Sequence, residues 1–333
     1  MRKMPQARYS TTMPHVTDLK YFDPCAATAS MFLYAQGSSV VCCHHDTLTI
    51  ARRFSRHAAD VQLLEVDNQS EASSSRFVVS YDASQTAIVW DLMTGDEICR
   101  FACYDDFTVA AWMKNGAVAF GNTKGSIVVF EPSSFEHFSS KTIDQIAVTA
   151  LAPLSDCQTF AIGYQNGSLF VATLQPRFTI LHNLTTSRGP SPIVNLAWHA
   201  SSSRQKSDML AVQMCNGDLR VWSVAKKYSA DDPAKVVRNP RTAEVSMGGP
   251  NWMGWSKNGR IIQYSDSQTQ SWDVRTKHVT HDPIPTHDLV RGLAVYGPGA
   301  KLFTLGANNT VQQFDLKAPA IMVANVQHPA NLL

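Results

Sequence analysis

Long apolar runs are missing from this chain, and none approaches the ~20 residues that a membrane-crossing helix needs. The opening stretch Met1-Arg2-Lys3-Met4-Pro5 has no apolar segment behind it, so a secretory leader is not expected. Cysteine is sparse: seven residues, an odd number without regular spacing, which points away from a disulfide framework and toward a reducing intracellular compartment. Four Asn-x-Ser/Thr sequons, at Asn68, Asn166, Asn183 and Asn308, are expected to be chance matches in that setting. Charge bias is also slight. The net charge of +2 is too small to imply nucleic acid by itself.

Catalytic signatures are absent too. No G-x-S-x-G elbow, Walker A loop, H-E-x-x-H or G-x-G-x-x-G occurs, and the eleven histidines are scattered. No catalytic residue, cofactor or metal is therefore predicted. The most metal-like string is Cys42-Cys43-His44-His45. Neighbours in a strand point to opposite faces, so at most two of the four converge, whereas zinc needs four ligands. Cys99 and Cys103 lack a second pair and read as small core hydrophobes.

What the chain does contain is a repeat. Two Trp-Asp pairs, Trp90-Asp91 and Trp272-Asp273, each close an alternating run. Related positions extend them to a series: Ala51, Trp90, Phe130, Ala172, Trp222, Trp272 and Phe314, with Asp315 repeating the acid in the last unit. The steps are 39, 40, 42, 50, 50 and 42 residues. Tight-turn pairs precede them: Lys124-Gly125, Asn166-Gly167, Asn216-Gly217, Asp266-Ser267 and Asn308-Asn309, with weaker ones at His45-Asp46 and Ser84-Gln85. A second series, Trp112, Pro153, Trp198, Trp255 and Tyr296, marks an inner strand whose exit carries turn chemistry such as Lys114-Asn115-Gly116 and Lys257-Asn258-Gly259. A period near 40 with a strand-ending aromatic reads as one four-stranded blade per repeat. The prediction is an all-β, seven-bladed propeller over 17–328, with a disordered arm at 1–16 and a tail at 329–333. The blades are placed at 21–58, 59–101, 102–143, 144–184, 185–241, 242–288 and 289–327. The two long steps locate loop insertions at Ser201–Ser207 and from Lys226 through Tyr228 to Arg241. Ring closure is left open between Ala320–Val326 as the outer strand of the last blade and pairing there by Thr17–Phe22.

Over residues 30–327 this pattern resembles the WD-repeat family. The resemblance implies a closed ring that binds proteins through its two faces and its edge. It also implies a buried histidine network ending on the Trp, normally begun by a Gly-His dipeptide. No Gly-His occurs here, so the network is expected to be lost. With Ala51 and Ala172 in place of Trp, blades 1 and 4 are expected to rely on apolar packing.

Partner-binding candidates come from the loops. One face, called upper below, gathers the turns between second and third strands and the lead-ins to inner strands. There the acids Asp46, Asp82, Asp105, Asp106, Asp144, Asp266 and Asp288 are expected, against Lys124 and Arg188. The lower face would carry Lys114, Arg177, Arg204, Lys206, Lys226, Lys227, Lys257, Arg275, Lys277, Lys301 and Lys317, diluted by Asp96, Glu131, Asp156, Asp231 and Asp232. These two charged faces suggest a non-catalytic scaffold for one or more proteins, with Asp105, Asp106, Lys226, Lys227, Lys257, Arg275 and Lys277 as contact residues. One alternative is a substrate receptor of a cullin-based ubiquitin ligase. Trp272-Asp273-Val274-Arg275 after Asp266 resembles the adaptor-docking box of some WD-repeat proteins, with Arg275 projecting toward the adaptor. Another is RNA or phosphate binding by the basic face, though apart from Tyr228 its loops lack interleaved aromatics.

Overall fold

The computed structural model describes residues 19–69, 75–139, 142–174, 177–186, 191–199, 204–227, 234–242, 249–317 and 319–330. Seven antiparallel sheets of four strands each form a seven-bladed β-propeller, and among the described residues only single 3₁₀ turns are helical. Blade 1 takes its strands from 25–54, blade 2 from 61–102, blade 3 from 107–139, blade 4 from 148–183, blade 5 from 193–241, blade 6 from 252–284 and blade 7 from 290–327. Within each blade the chain runs from an inner strand to an outer one, and every neighbour pair is antiparallel. The predicted arm at 1–16, Arg188, Tyr228, Asp231 and Asp232 lie outside the described residues.

A single blade cannot bury both of its faces, so the core is divided among the gaps between blades. Seven apolar clusters fill them, one for each pair of neighbours, including blade 7 against blade 1. The strand-ending aromatics belong to these wedges. Trp90 packs with blade 1, Phe130 with blade 2, Trp272 with blade 5 and Phe314 with blade 6. Trp222, half-buried, faces blade 4. Close approach between blades also requires glycine. A Cβ on Gly121 would lie 2.6 Å from the Val148 side chain, and one on Gly163 would lie 2.5 Å from Ile193.

The inner-strand tryptophans tie blades together in a second way. The Trp112 indole N–H of blade 3 donates to the Glu65 carbonyl of blade 2 at 2.8 Å. Trp198 of blade 5 repeats this on the Ala152 carbonyl of blade 4, also at 2.8 Å.

Ala51 does not belong to the aromatic series. It lies in the outer strand of blade 1 (Ile50–Phe54), and Cys43 occupies the equivalent third-strand position, paired with Phe32 as Trp90 is with Val78. The tight turn of that blade is at Gly37, and His45-Asp46 instead joins the third and outer strands. With no aromatic at position 43, periodicity had nothing to lock onto. Here the wedge is filled by Phe32 stacked on Phe303, ring centroids 5.1 Å apart. In blade 4, Ala172 is compensated by Phe160 and Tyr164. The second insertion is also shorter than expected. Lys235–Arg241 is the outer strand of blade 5, where solvent on the edge accommodates charge and Pro240.

Closure uses Ile321–Gln327 as the outer strand of blade 7, and among the described residues no strand from the N-terminal side joins it. Residues 17 and 18 lie outside the described part. Phe22 packs edge-on against Tyr264 at 5.4 Å. The seam is stitched by side chains. Asp23 pairs with Arg291 across blades 1 and 7. Buried His328 donates from Nε2 to the Leu48 carbonyl at 2.6 Å and accepts from Tyr34 Oη at 2.9 Å.

The histidine network, expected to be lost, is present in blade 2. Trp90 Nε1 donates to Ser80 Oγ (2.8 Å), Ser80 donates to His57 Nε2 (2.6 Å), and His57 Nδ1 donates to Asp82 (2.9 Å). Both His57 and Asp82 are fully buried. Asp82 also accepts from the backbone of Ala58, Ser84 and Thr86, so one carboxylate organises a turn and an inter-blade loop. Arg56 stands where the family pattern has glycine, which hid the motif. In blade 6 a shortened version remains: Trp272 Nε1 donates to Gln263 at 3.0 Å, and Gln263 donates to the Gly217 carbonyl of blade 5.

Because the blade 2 chain is buried, removing its middle link orphans two groups at ~1–3 kcal/mol each. Ser80→Ala is expected to destabilise the protein by about 2–4 kcal/mol in urea titration. A loss below about 0.5 kcal/mol would contradict this account.

Candidate functional site

Two loop-built faces and the channel between them are the surfaces on which this ring can act. On the upper face the acids are mostly committed to turn architecture. Asp105 accepts from Asn122 Nδ2 at 2.5 Å and pairs with Lys124 at 3.3 Å. Asp106 accepts from Gln85 at 2.6 Å, and Asp144 accepts from Asn166 at 2.8 Å. Asp266 pairs with Arg241. Asp82 is buried rather than displayed. With Asp105 and Asp266 paired to cations and Asp82 buried, the upper face is less acidic in effect than its composition suggests. Asp46 is not on it. Its loop lies on the lower face, where it meets Lys301 at 3.4 Å.

The lower face is basic in a more restricted arc than expected. Third-strand aspartates hold many of its cations. Arg76 sits on Asp91 at 2.7 Å, Arg275 on Asp273 at 2.5 Å and Lys317 on Asp315 at 3.4 Å. Asp91 stays below the ordinary carboxylate range although burial opposes ionisation, because Arg76 and the backbone N–H groups of Met93 and Thr94 outweigh it. Asp273 is held low by Arg275. Lys226 pairs with Asp208 at 3.7 Å. Among the described residues, Arg177 of blade 4, Arg204, Lys206 and Lys227 of blade 5, and Lys257 and Lys277 of blade 6 form no ion pair, so five of the six lie on loops of blades 5 and 6. Sequence reasoning had spread the basic set over the whole face. The box at Trp272–Arg275 has a local explanation. Trp272 fills the wedge, Asp273 caps the turn by accepting from Arg275 N at 3.1 Å, and the Arg275 guanidinium folds back on that same carboxylate.

Cys42 and Cys43 diverge as strand geometry requires, one into the blade 1–2 wedge and the other into the blade 7–1 wedge. Burial pushes the Cys43 thiol up to about 12. Among the described residues, no three of His, Cys, Asp and Glu come together as a metal-holding group. No described helix is long and apolar enough to cross a membrane.

The axial channel holds a residue that sequence reasoning passed over. A bowl of about 410 Å³ is walled by inner strands of all seven blades, with Asn68 and Gln69 at its lip. A smaller cavity of about 200 Å³ lies beyond it, beside Leu19 and Lys20. Glu65 lines both, and desolvation pushes its carboxyl up to about 8. The only available signal was a lone acid in the apolar strand Val61-Gln-Leu-Leu-Glu-Val66. A separate groove of about 270 Å³ runs between blades 4 and 5, lined by Asp156, His182, Trp198, Asp208 and Lys226.

No protein-family model and no curated protein matches the sequence. In three dimensions the chain is similar to the β-propeller domain of Myceliophteria thermophila Cps50 (Swd1), with a TM-score of 0.70 and 13% identity over 89% of this chain and 97% of that one. It is similar to a chain of the mitotic checkpoint complex, with a TM-score of 0.69 and 15% identity over 94% of both chains. The computationally designed Ika8 protein also matches, at a TM-score of 0.63 and 16% identity over 94% and 89%. At such identities the likeness shows the fold.

The raised carboxyl of Glu65 has a consequence for stability. The folded state binds its proton more tightly than the unfolded chain, whose carboxyl titrates near 4.5. Stability is therefore fullest below that value and falls as pH rises toward about 8. Glu65→Gln is expected to flatten this fall, raising Tm at alkaline pH by about 2–4 °C for each kcal/mol recovered. Thermal melts of both proteins between acid and alkaline pH check it, and parallel curves would refute the assignment.

Proposed function

We propose that this protein is a non-catalytic scaffold of the WD-repeat type, working in a reducing compartment, that grips the acidic surface of a partner protein with the lower loops of blades 5 and 6. The observation that carries this reading is the contrast in charge pairing. Arg76, Lys226, Arg275, Lys301 and Lys317 are neutralised where they stand, whereas Arg177 of blade 4, Arg204 of blade 5 and the four lysines Lys206, Lys227, Lys257 and Lys277 of blades 5 and 6 have no ionic partner among the described residues. A closed ring holds the four lysines in fixed relative positions, so little ordering entropy is lost on binding. Unpaired surface cations also steer an acidic partner and speed encounter. The blade 2 histidine network supports the WD-repeat assignment, because it reproduces the buried chain that the resemblance implied. The solved structures similar in fold include a chain of the mitotic checkpoint complex, which is consistent with a role in an assembly.

The ligase-receptor reading depends on Arg275 and has less behind it, since that guanidinium already has a carboxylate partner. Arg275→Asp tests it directly. Unchanged recovery of the cullin adaptor with the variant removes the reading.

For the scaffold, the combined variant Lys227→Glu, Lys257→Glu, Lys277→Glu is expected to keep its melting temperature and to lose its co-purifying proteins by about ten-fold, equivalent to about 1.4 kcal/mol. Quantitative mass spectrometry after affinity purification measures this. An unchanged partner set would overturn the lower-face assignment. Recovery of RNA in place of protein, with a steep salt dependence, would transfer the site to nucleic acid.

A further inference from the structure

Among the described residues, the axial bowl combines an open volume with a single carboxyl and no cation on its wall to match it. Its size, about 410 Å³, falls within the range of sites that take small ligands or single side chains. Ala26, Ala110, Ala150, Ala197 and Ala294, each from a different inner strand, are among the residues that line it. Polar groups on the wall have their donors turned into the protein. Asn195 donates to Gln213 at 2.8 Å, Thr149 to the Gly163 carbonyl at 3.3 Å and Asn68 to the Ala27 carbonyl at 2.8 Å. Among the described residues, the Glu65 carboxyl is the only Asp, Glu, Lys or Arg group lining the bowl.

From this geometry we infer that the bowl is a binding site for one alkylammonium or guanidinium group, a lysine or arginine side chain on a partner protein, with Glu65 as its counter-ion. The inner strands of blades 3, 4 and 5 present Thr108, Val109, Ala110, Thr149 and Val194 to Glu65, none titratable. Cys25 of blade 1 also lines the bowl, but burial pushes its thiol well up and keeps it neutral. Lys20, in the segment before blade 1, lines the smaller cavity, where the carboxylate acting on it is Asp106 of the upper face and not Glu65. A half-buried, desolvated carboxyl without a counter-ion is disfavoured as an anion. An entering cation removes that penalty, which gives the site its selectivity for charge over shape.

The site deepens the proposed function, and the partner's identity rests on that reading. The bowl opens on the same face as the unpaired lysines, which would repel a simple cationic partner. A partner that satisfies both has an acidic contact surface carrying one protruding lysine or arginine, the acids meeting blades 5 and 6 and the cation entering the axis.

The bowl is tested without the partner, using n-butylammonium and ethylguanidinium as probes on the full chain. The Trp112 indole N–H donates to the Glu65 carbonyl, so its NMR resonance reports occupancy. Both probes are expected to shift it saturably at about pH 8.5, with affinity at least about ten-fold weaker at about pH 6, where Glu65 is protonated. Neutral 1-butanol should not shift it, and Glu65→Gln, which keeps the size of the side chain, should abolish the response. No saturable shift, an equal shift with 1-butanol, or a response retained in Glu65→Gln would each overturn the site. A full-length variant with Arg2→Gln, Lys3→Gln and Arg8→Gln tests the chain's own cations as occupant. If only that variant binds the probes, the assignment to a partner side chain fails. The lysine-rim variant should bind the probes normally, so failure of the rim and failure of the bowl are read separately.

Discussion

Everything in this molecule depends on the wedge between neighbouring blades. A four-stranded sheet has two faces, and in a ring both must be covered by other sheets. The chain meets this by giving each wedge its own cluster, closing the circle when blade 7 meets blade 1. Third-strand aromatics, inner-strand tryptophans and the glycines at 121 and 163 are different answers to one demand: the blades must come close enough to exclude water along their whole width. Where the aromatic is missing, as at Cys43 and Ala172, neighbouring phenylalanine and tyrosine rings restore the volume.

Polar chemistry inside the wedges is used sparingly, and two instances carry long-range connections. The chain from Trp90 to Asp82 links the third strand of blade 2 to the loop arriving from blade 1, so it fixes both the blade and its approach. His328 does the corresponding work at the seam, joining the end of blade 7 to Tyr34 and Leu48 of blade 1. These bonds hold parts that are distant in sequence, and blade 7 takes all four of its strands from its own repeat. The free edges of the inner strands face the axial channel, those of the outer strands face the outside, and most outer strands carry charge or proline.

The same economy governs the surface. Many carboxylates at strand ends and in lead-in loops are held by turns and adjacent cations, whereas Lys206, Lys227, Lys257 and Lys277 of blades 5 and 6, with Arg177 and Arg204, have no ion pair among the described residues. A near-neutral total charge therefore conceals a basic arc around an axis whose carboxyl, Glu65, is pushed up to about 8.

Seven blades were legible in the chain because Trp90, Trp272 and their relatives recur at a spacing that one four-stranded sheet consumes, and because tight-turn residues sit at matching offsets. The inner strands were legible from Trp112, Trp198 and Trp255 for the same local reason. Blade 1 was misread at Ala51 because a local pattern without its aromatic has no phase. The histidine network was missed because Arg56 replaced the expected glycine, although His57, Ser80, Asp82 and Trp90 were all in view. Loop charges could be counted from the sequence, but their neutralisation could not, since Asp46 meets Lys301 only once the ring has closed. Glu65 is the clearest case. In sequence it is one acid in an apolar strand, and its partial burial, its raised protonation and its place on the axis arise from seven inner strands converging, a condition no local stretch of sequence contains.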